Sequence, residues 1–197
     1  MKTLILVCGT MRSGKDTVGS MIMDEFSSSR IVDITSYLKR GVGKMLNLTS
    51  KQVDLLKDDA VVEITVDEEN DGVTEAVLYS EVTIRRILQY QADICRDYIT
   101  CEKALEELMQ EDRDCYILTG VRIPREVEFI KKVHADKRVI ALKVVRADYE
   151  NRSPDQSHMT ETLVGDIKAD YTIEARNLPE LRLKTEDFIN YIKDGQN

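Results

Sequence analysis

Apolar residues in this chain follow two patterns, unbroken runs of strand length and helical spacing, and the two alternate along it. Leu4-Ile5-Leu6-Val7-Cys8 is a continuous apolar run, and after a polar, glycine-containing stretch Lys15 to Phe26 suits a helix that ends at three serines. Arg30 to Ile34 reads as a second strand, Ser36 to Leu46 as a helix, and Thr49 to Lys57 as another, with Thr49 and Ser50 at its start. Val61 to Val66 and Val73 to Tyr79, on either side of the acidic turn Asp67 to Gly72, predict a β-hairpin. A helical tract follows from Glu81 to about Gln110, broken near Thr100. Cys115 to Thr119 is a buried-type strand, and Pro124 suits the first turn of the helix that carries Val127, Phe129, Ile130 and Val133. Arg138 to Val145 is another buried strand, ending at Arg146, while 147–168 is polar and aperiodic, the composition of a lid. Tyr171 to Ile173 and Leu178 to Ile192 read as the last strand and helix. This alternation predicts an α/β three-layer domain with a mostly parallel central sheet.

The turn between the first strand and the first helix carries chemistry. Gly9, Gly14 and Lys15 have the spacing G-x-x-x-x-G-K, and the motif sits between a buried strand and a helix, as a P-loop requires. In that form the backbone curls so that successive N–H groups and the helix N-terminus face phosphates, and the lysine reaches the outer oxygens. Gly9, Arg12, Ser13, Gly14, Lys15, Asp16 and Thr17 are therefore the expected phosphate-binding set. Asp16 stands where a Ser or Thr normally ligates magnesium, and the hydroxyl comes one place later, at Thr17. Mg²⁺ dehydrates reluctantly, so Asp16 suits a carboxylate holding a metal-bound water; it equally suits an acid favoured by the helix macrodipole.

With 197 residues, 42% hydrophobic and 32% charged, the chain suits one ordered domain, 1–197, with a core. The expected division is a core at about 1–35, 112–146 and 169–197, an insertion at about 36–111, and the lid at about 147–168. No apolar run approaches membrane-spanning length and no signal-peptide pattern opens the chain, which points to the cytoplasm and to no membrane partner. Cys8, Cys95, Cys101 and Cys115 show no C-x-x-C pairing, so they read as reduced core cysteines. A net charge of −8 argues against a nucleic-acid polymer as partner, because such a footprint is basic. A single nucleotide needs only a local cluster of arginine and lysine.

One candidate cluster lies on the helix after Thr83. At about 100° per residue, Ile84, Ile87, Leu88, Ile94 and Cys95 share one face, and Arg85, Arg86, Gln89, Asp93 and Arg96 the other. The polar stripe is either a solvated face or a binding face. Arginine favours the second, since its planar fork matches phosphate, and Gln89 offers an amide for a nucleobase edge.

A family resemblance joins these pieces. Ser13-Gly14-Lys15-Asp16-Thr17, Tyr37-Leu38-Lys39, Thr83-Ile84-Arg85-Arg86-Ile87-Leu88-Gln89, Val121-Arg122-Ile123-Pro124-Arg125-Glu126 and His158-Met159-Thr160-Glu161 together resemble the bacteriophage-type deoxynucleoside monophosphate kinases in order and interval. The resemblance implies an adenylate-kinase-like P-loop kinase fold, ATP as phosphoryl donor, Mg²⁺, and a deoxynucleoside monophosphate (dNMP) as acceptor, in what would then be the host cytoplasm. It also implies that Arg85, Gln89 and Arg122 serve the acceptor, with Lys39 on a phosphate and Arg96 in register to within one residue. Arg146 and Arg152 become the lid arginines that, with Lys15, act on the transferring group. Two positions depart from the family pattern: Ala92 replaces a glycine, and Gly120 stands where an aspartate is often found. The metal-water carboxylate then comes from elsewhere, with Asp33 and Asp16 as candidates, although Asp33 also suits a strand-ending turn.

The mechanism these readings imply needs no protein base. A phosphate monoester with a second pKa near ~6 is already mostly dianionic at neutral pH. In-line positioning and positive charge do the rest. Animal-type phosphomevalonate kinases share the S-G-K-D loop and are the nearest competing reading; a noncatalytic nucleotide sensor is another. Base choice, ribose selectivity, the role of the 61–79 hairpin and a homodimer stay open at this level.

Overall fold

The computed structural model describes residues 2–64, 80–94, 99–147 and 162–195. They divide into two compact units, one made of Met1–Ile34 with Cys101–Asn197 and the other of Thr35–Thr100.

The first unit is built on a parallel five-stranded sheet of order β2-β5-β1-β6-β7. Its strands are β1 (Thr3–Cys8), β2 (Ser29–Asp33), β5 (Cys115–Val121), β6 (Arg138–Arg146) and β7 (Tyr171–Ala175). β1 lies in the centre, paired with β5 on one side and β6 on the other, and all six of its residues are buried. A strand buried on both faces has no reason to alternate polar and apolar residues, which is why β1 reads as one continuous run.

Helices cover both faces of the sheet. Ile5 and Val7 share a core with Val18 and Ile22 of α1 (Lys15–Glu25) and with Leu181, Phe188, Ile189 and Ile192 of α7 (Leu178–Asp194). Leu4, Leu6 and Cys8 point the other way by the two-residue period of a strand. Cys8 lies beside Glu126 of α6 (Pro124–Val133), and so does Cys101 of α5 (Ile99–Leu108). The three-layer α/β arrangement expected from the alternation is the arrangement found.

The second unit holds α2 (Ser36–Leu46), α3 (Ser50–Leu56), the antiparallel pair β3 (Val61–Ile64) and β4 (Ser80–Thr83), and α4 (Ile84–Ile94). Val42, Val53 and Ile84 are its buried centre. Here one expectation fails. The strand paired with β3 is Ser80–Thr83, where a helix was expected from Glu81, and the second hairpin arm expected at 73–79 lies outside the described residues. Ser-Glu-Val-Thr gives no apolar run, and its strand state is set by pairing with β3. A break was expected near Thr100; Thr100 itself lies within Ile99–Leu108, and residues 95–98, before that helix, lie outside the described residues.

Cys8, Cys101 and Cys115 are buried and free of disulfides. Burial pushes the Cys8 and Cys115 thiols up to about 12, far from a reactive thiolate. No helix among the described residues is long and apolar enough to cross a membrane.

Candidate phosphate-binding site

β1 ends at Cys8, in the middle of the sheet, and the chain then turns through 9–14 into α1. A tight return of this kind needs left-handed backbone. Arg12 has φ 61 and Gly14 φ 97, so two residues of the loop curl the chain back on itself. For Arg12 that conformation costs of the order of 1 kcal/mol, a strain typical of functional loops. Gly14 caps α1, and a side chain there would meet Leu181 Cδ2 at 2.9 Å.

The loop encloses a cradle that even a methyl group would fill. A Cβ on Gly9 would lie 2.5 Å from Ser13 Oγ and 2.8 Å from the Val144 carbonyl oxygen. Ser13 Oγ is itself buried and has no hydrogen-bond partner in this structure. A buried hydroxyl left unsatisfied costs free energy unless a ligand completes it, so a phosphate oxygen fits the cradle. Lys15, the first residue of α1, is 9% exposed, and its Nζ lies 3.2 Å from Asp16 Oδ2. Asp16 is mostly exposed, so the pair is weak, while the Lys15 side chain is 11% exposed.

Beside the loop is an open cleft of about 210 Å³, lined by Arg12, Ser13, Gly14, Thr17 and Arg146, and by Ala175, Arg176, Asn177, Leu178 and Leu181. Three arginines on one small cleft form a local cationic site in a chain of net charge −8. The segment 175–178 was not singled out from the sequence. Its signal is the helix start: Asn177 Oδ1 accepts from the Glu180 N–H at 2.9 Å, and Glu180 Oε2 accepts from the Arg176 N–H at 2.9 Å. That cap shapes the cleft wall and fixes the start of α7. Asn177→Ala should therefore cost about 1 kcal/mol of stability, read as a melting temperature about 2–4 °C lower; an unchanged melt would mean the cap contributes nothing.

The C-terminal edge of the sheet, where ligands of open α/β sheets bind, carries two more of the expected residues. Asp33 ends β2, and its Oδ1 lies 2.5 Å from where a Cβ on Gly120 would sit; Gly120 has φ 81. The carboxylate thus occupies the space that a side chain at 120 would need. Arg122 follows β5, and its N–H and that of Ile123 both donate to Glu126 Oε2, at 2.9 and 3.0 Å, which fixes the turn into α6. Among the described residues no three acidic, histidine or cysteine side chains converge on a point. The donors at hand are the oxygens of Asp16, Thr17 and Asp33, which suit a hard ion that keeps most of its waters.

Lys39, Arg85 and Gln89 belong to the second unit. The Lys39 side chain is 19% exposed and that of Arg85 18% exposed, so neither is a freely solvated cation. Lys39 Nζ lies 3.0 Å from Asp54 Oδ2, and Arg85 Nε donates to Asp58 Oδ1. Gln89 lies one turn after Arg85 on α4, and on the opposite side Ile84, Ile87 and Leu88 join the core. Arg96 and Arg152, with His158 and Glu161, lie outside the described residues, as does most of the expected lid.

No protein-family model matches the chain, and no curated protein matches it. Several solved structures are similar in outline. An APS kinase from Mycobacterium tuberculosis aligns at TM-score 0.40 and 11% identity over 98% of this chain and 96% of its own. A shikimate kinase from Bacteroides thetaiotaomicron aligns at TM-score 0.44 and 10% identity over 98% of each chain. The Thermus thermophilus protein TT1252 aligns at TM-score 0.44 and 13% identity over 100% of this chain and 98% of its own.

Proposed function

We propose that the chain is a phosphotransferase that moves the γ-phosphoryl group of ATP to the phosphate of a dNMP. The observation that carries this reading is the loop at 9–15, with its left-handed turns at Arg12 and Gly14, its cradle at Gly9 and the buried, unpartnered Ser13 hydroxyl.

In this reading the backbone of 9–14, the Ser13 hydroxyl and Lys15 bind the donor's phosphates. Arg12, Arg146 and Arg176 supply positive charge along the cleft, where their guanidinium planes also suit stacking on a base. Mg²⁺, held through water by Asp16 or Asp33, would neutralise charge on the phosphate oxygens. The acceptor phosphate falls to Lys39 and Arg85, with Arg122 as a further arginine on the acceptor side, and its base to Gln89. Arg96 and Arg152 keep the roles the family resemblance gives them, and a lid at 147–168 would exclude water, whose attack wastes the donor. Lys15 stabilises the transferring group from the loop, and no side chain has to remove a proton from a dianionic acceptor.

The test is ADP formation from ATP across all dNMPs, all ribonucleoside monophosphates and phosphomevalonate. Turnover with dNMPs supports the reading; turnover with phosphomevalonate alone replaces it with the related kinase; ADP formation that no acceptor stimulates overturns both. The acceptor residues make a finer prediction. Arg85→Ala removes a charge-assisted contact and should lower kcat/KM for every dNMP alike, by roughly 1.5–3 kcal/mol. Gln89→Ala removes a neutral one, so its loss should be about 0.5–1.5 kcal/mol and should depend on the base. Equal kcat/KM in both variants and the parent would make the polar stripe plain surface.

A further inference from the structure

The two cations assigned above to the acceptor's phosphate come from different helices, yet both meet carboxylates from one short stretch. Asp54 takes Lys39 at 3.0 Å through one oxygen and Lys57 at 2.7 Å through the other. Asp58 takes Arg85 at Nε.

A carboxylate on a phosphate-binding cation either stands in for the phosphate and leaves, or holds the cation in one pose. The backbone decides between these. The Arg85 N–H donates to the Lys57 carbonyl at 2.9 Å, and the Ile84 N–H to the Ala60 carbonyl at 3.3 Å. The segment that carries Asp58 is therefore laced on both sides to the start of α4, the same backbone from which Arg85 extends. That lacing keeps the Asp58 Cα beside the backbone from which Arg85 extends, which favours the second role. The Asp58 contact with Nε, the nitrogen next to the stem, bears directly on the rotation of the guanidinium plane.

Asp54 is held as firmly. Burial works to raise its pKa, but hydrogen bonds from Lys57 and Lys39 outweigh it and keep the carboxyl below its ordinary range. Lys57, between the two aspartates, has helical angles of φ −57 and ψ −29, so Asp58 continues the turn begun by α3. Four residues in helical register place the two aspartates about one turn apart, about 6 Å along the axis.

We infer that Asp58 is a positioning residue, which sets the Arg85 guanidinium for the acceptor's phosphate as Asp54 holds the Lys39 ammonium. This rests on the acceptor assignment made above. Asp58→Asn keeps the shape but loses the charge-assisted bond, so the acceptor KM should rise about tenfold while kcat and the donor KM stay within about threefold. Asp58→Glu restores the charge and should fall between the two. In an Arg85→Ala background Asp58→Asn should do nothing further, because its target is gone.

Steady-state kinetics of the four variants and the parent, with thermal melts to confirm folding, test this. An additional acceptor-KM loss in the Arg85→Ala background, or equal changes in donor and acceptor constants, would mark Asp58 as a structural prop and overturn the inference. A parent that phosphorylates dNMPs and an Asp58→Asn variant with unchanged acceptor KM overturn it as well. A parent that phosphorylates no dNMP overturns the acceptor reading beneath it.

Discussion

Lys15→Ala should lose at least about 100-fold in kcat and melt within a few degrees of the parent. Both halves follow from where the side chain lies. It extends from the first residue of α1 with its side chain 11% exposed, and its partner, Asp16, has a side chain 74% exposed at 3.2 Å. An ion pair of that kind is worth about 0–1 kcal/mol, and removing the lysine leaves an aspartate that water can solvate. The loop's shape is set elsewhere, by the left-handed Arg12 and Gly14. What disappears is positive charge on the transferring phosphoryl group, where charge stabilisation is the main thing the protein supplies. Turnover and far-ultraviolet circular dichroism would be read on the same samples. A loss below tenfold with the fold intact would remove the loop from the reaction.

Phe188→Ala should have the largest effect on stability, about 3–5 kcal/mol, which lowers the melting temperature by about 10 °C or more. Phe188 is 0% exposed and shares the core with Ile5, Val18, Ile22 and Ile173. Its ring centroid lies 4.9 Å from that of Tyr171 on β7 and 6.2 Å from that of Tyr191. Truncation therefore opens a cavity between α7 and the sheet and removes an aromatic contact as well. α7 also begins at the cleft wall, through the cap at Asn177, so the donor KM should rise in the same variant. A loss under 1 kcal/mol would mean that α7 packs less tightly on the sheet than the structure indicates.

Legibility differed sharply between the two units, for physical reasons. β1 and β5 are buried along their whole length and β6 at its centre, each carries a strand-length apolar run, and the G-x-x-x-x-G-K spacing between β1 and α1 is local in sequence, so the sheet and the loop could be read directly. Ser80–Thr83 could not, because this short, mostly polar segment becomes a strand only by pairing with Val61–Ile64. The cleft wall at 175–178 left one trace, an Asn-x-x-Glu helix start, which specifies a cap and says nothing of a ligand. The carboxylates on Lys39 and Arg85 left none. Asp58 and Arg85 are 27 positions apart, and only the fold of the second unit joins them. The arginine stripe on α4 was legible as a choice between solvent and ligand; in the structure Arg85 is mostly covered and tied at Nε to Asp58.

The central claim is that a phosphoryl group passes from ATP to the phosphate of a dNMP. Following the label from γ-³²P-ATP by thin-layer chromatography in the presence of each dNMP, with Mg²⁺, tests it most directly. The account predicts label in the β-position of the deoxynucleoside diphosphate in the parent chain and at least about 100-fold less in Lys15→Ala. Label that stays in ATP, or that appears only as inorganic phosphate whichever dNMP is present, would contradict it.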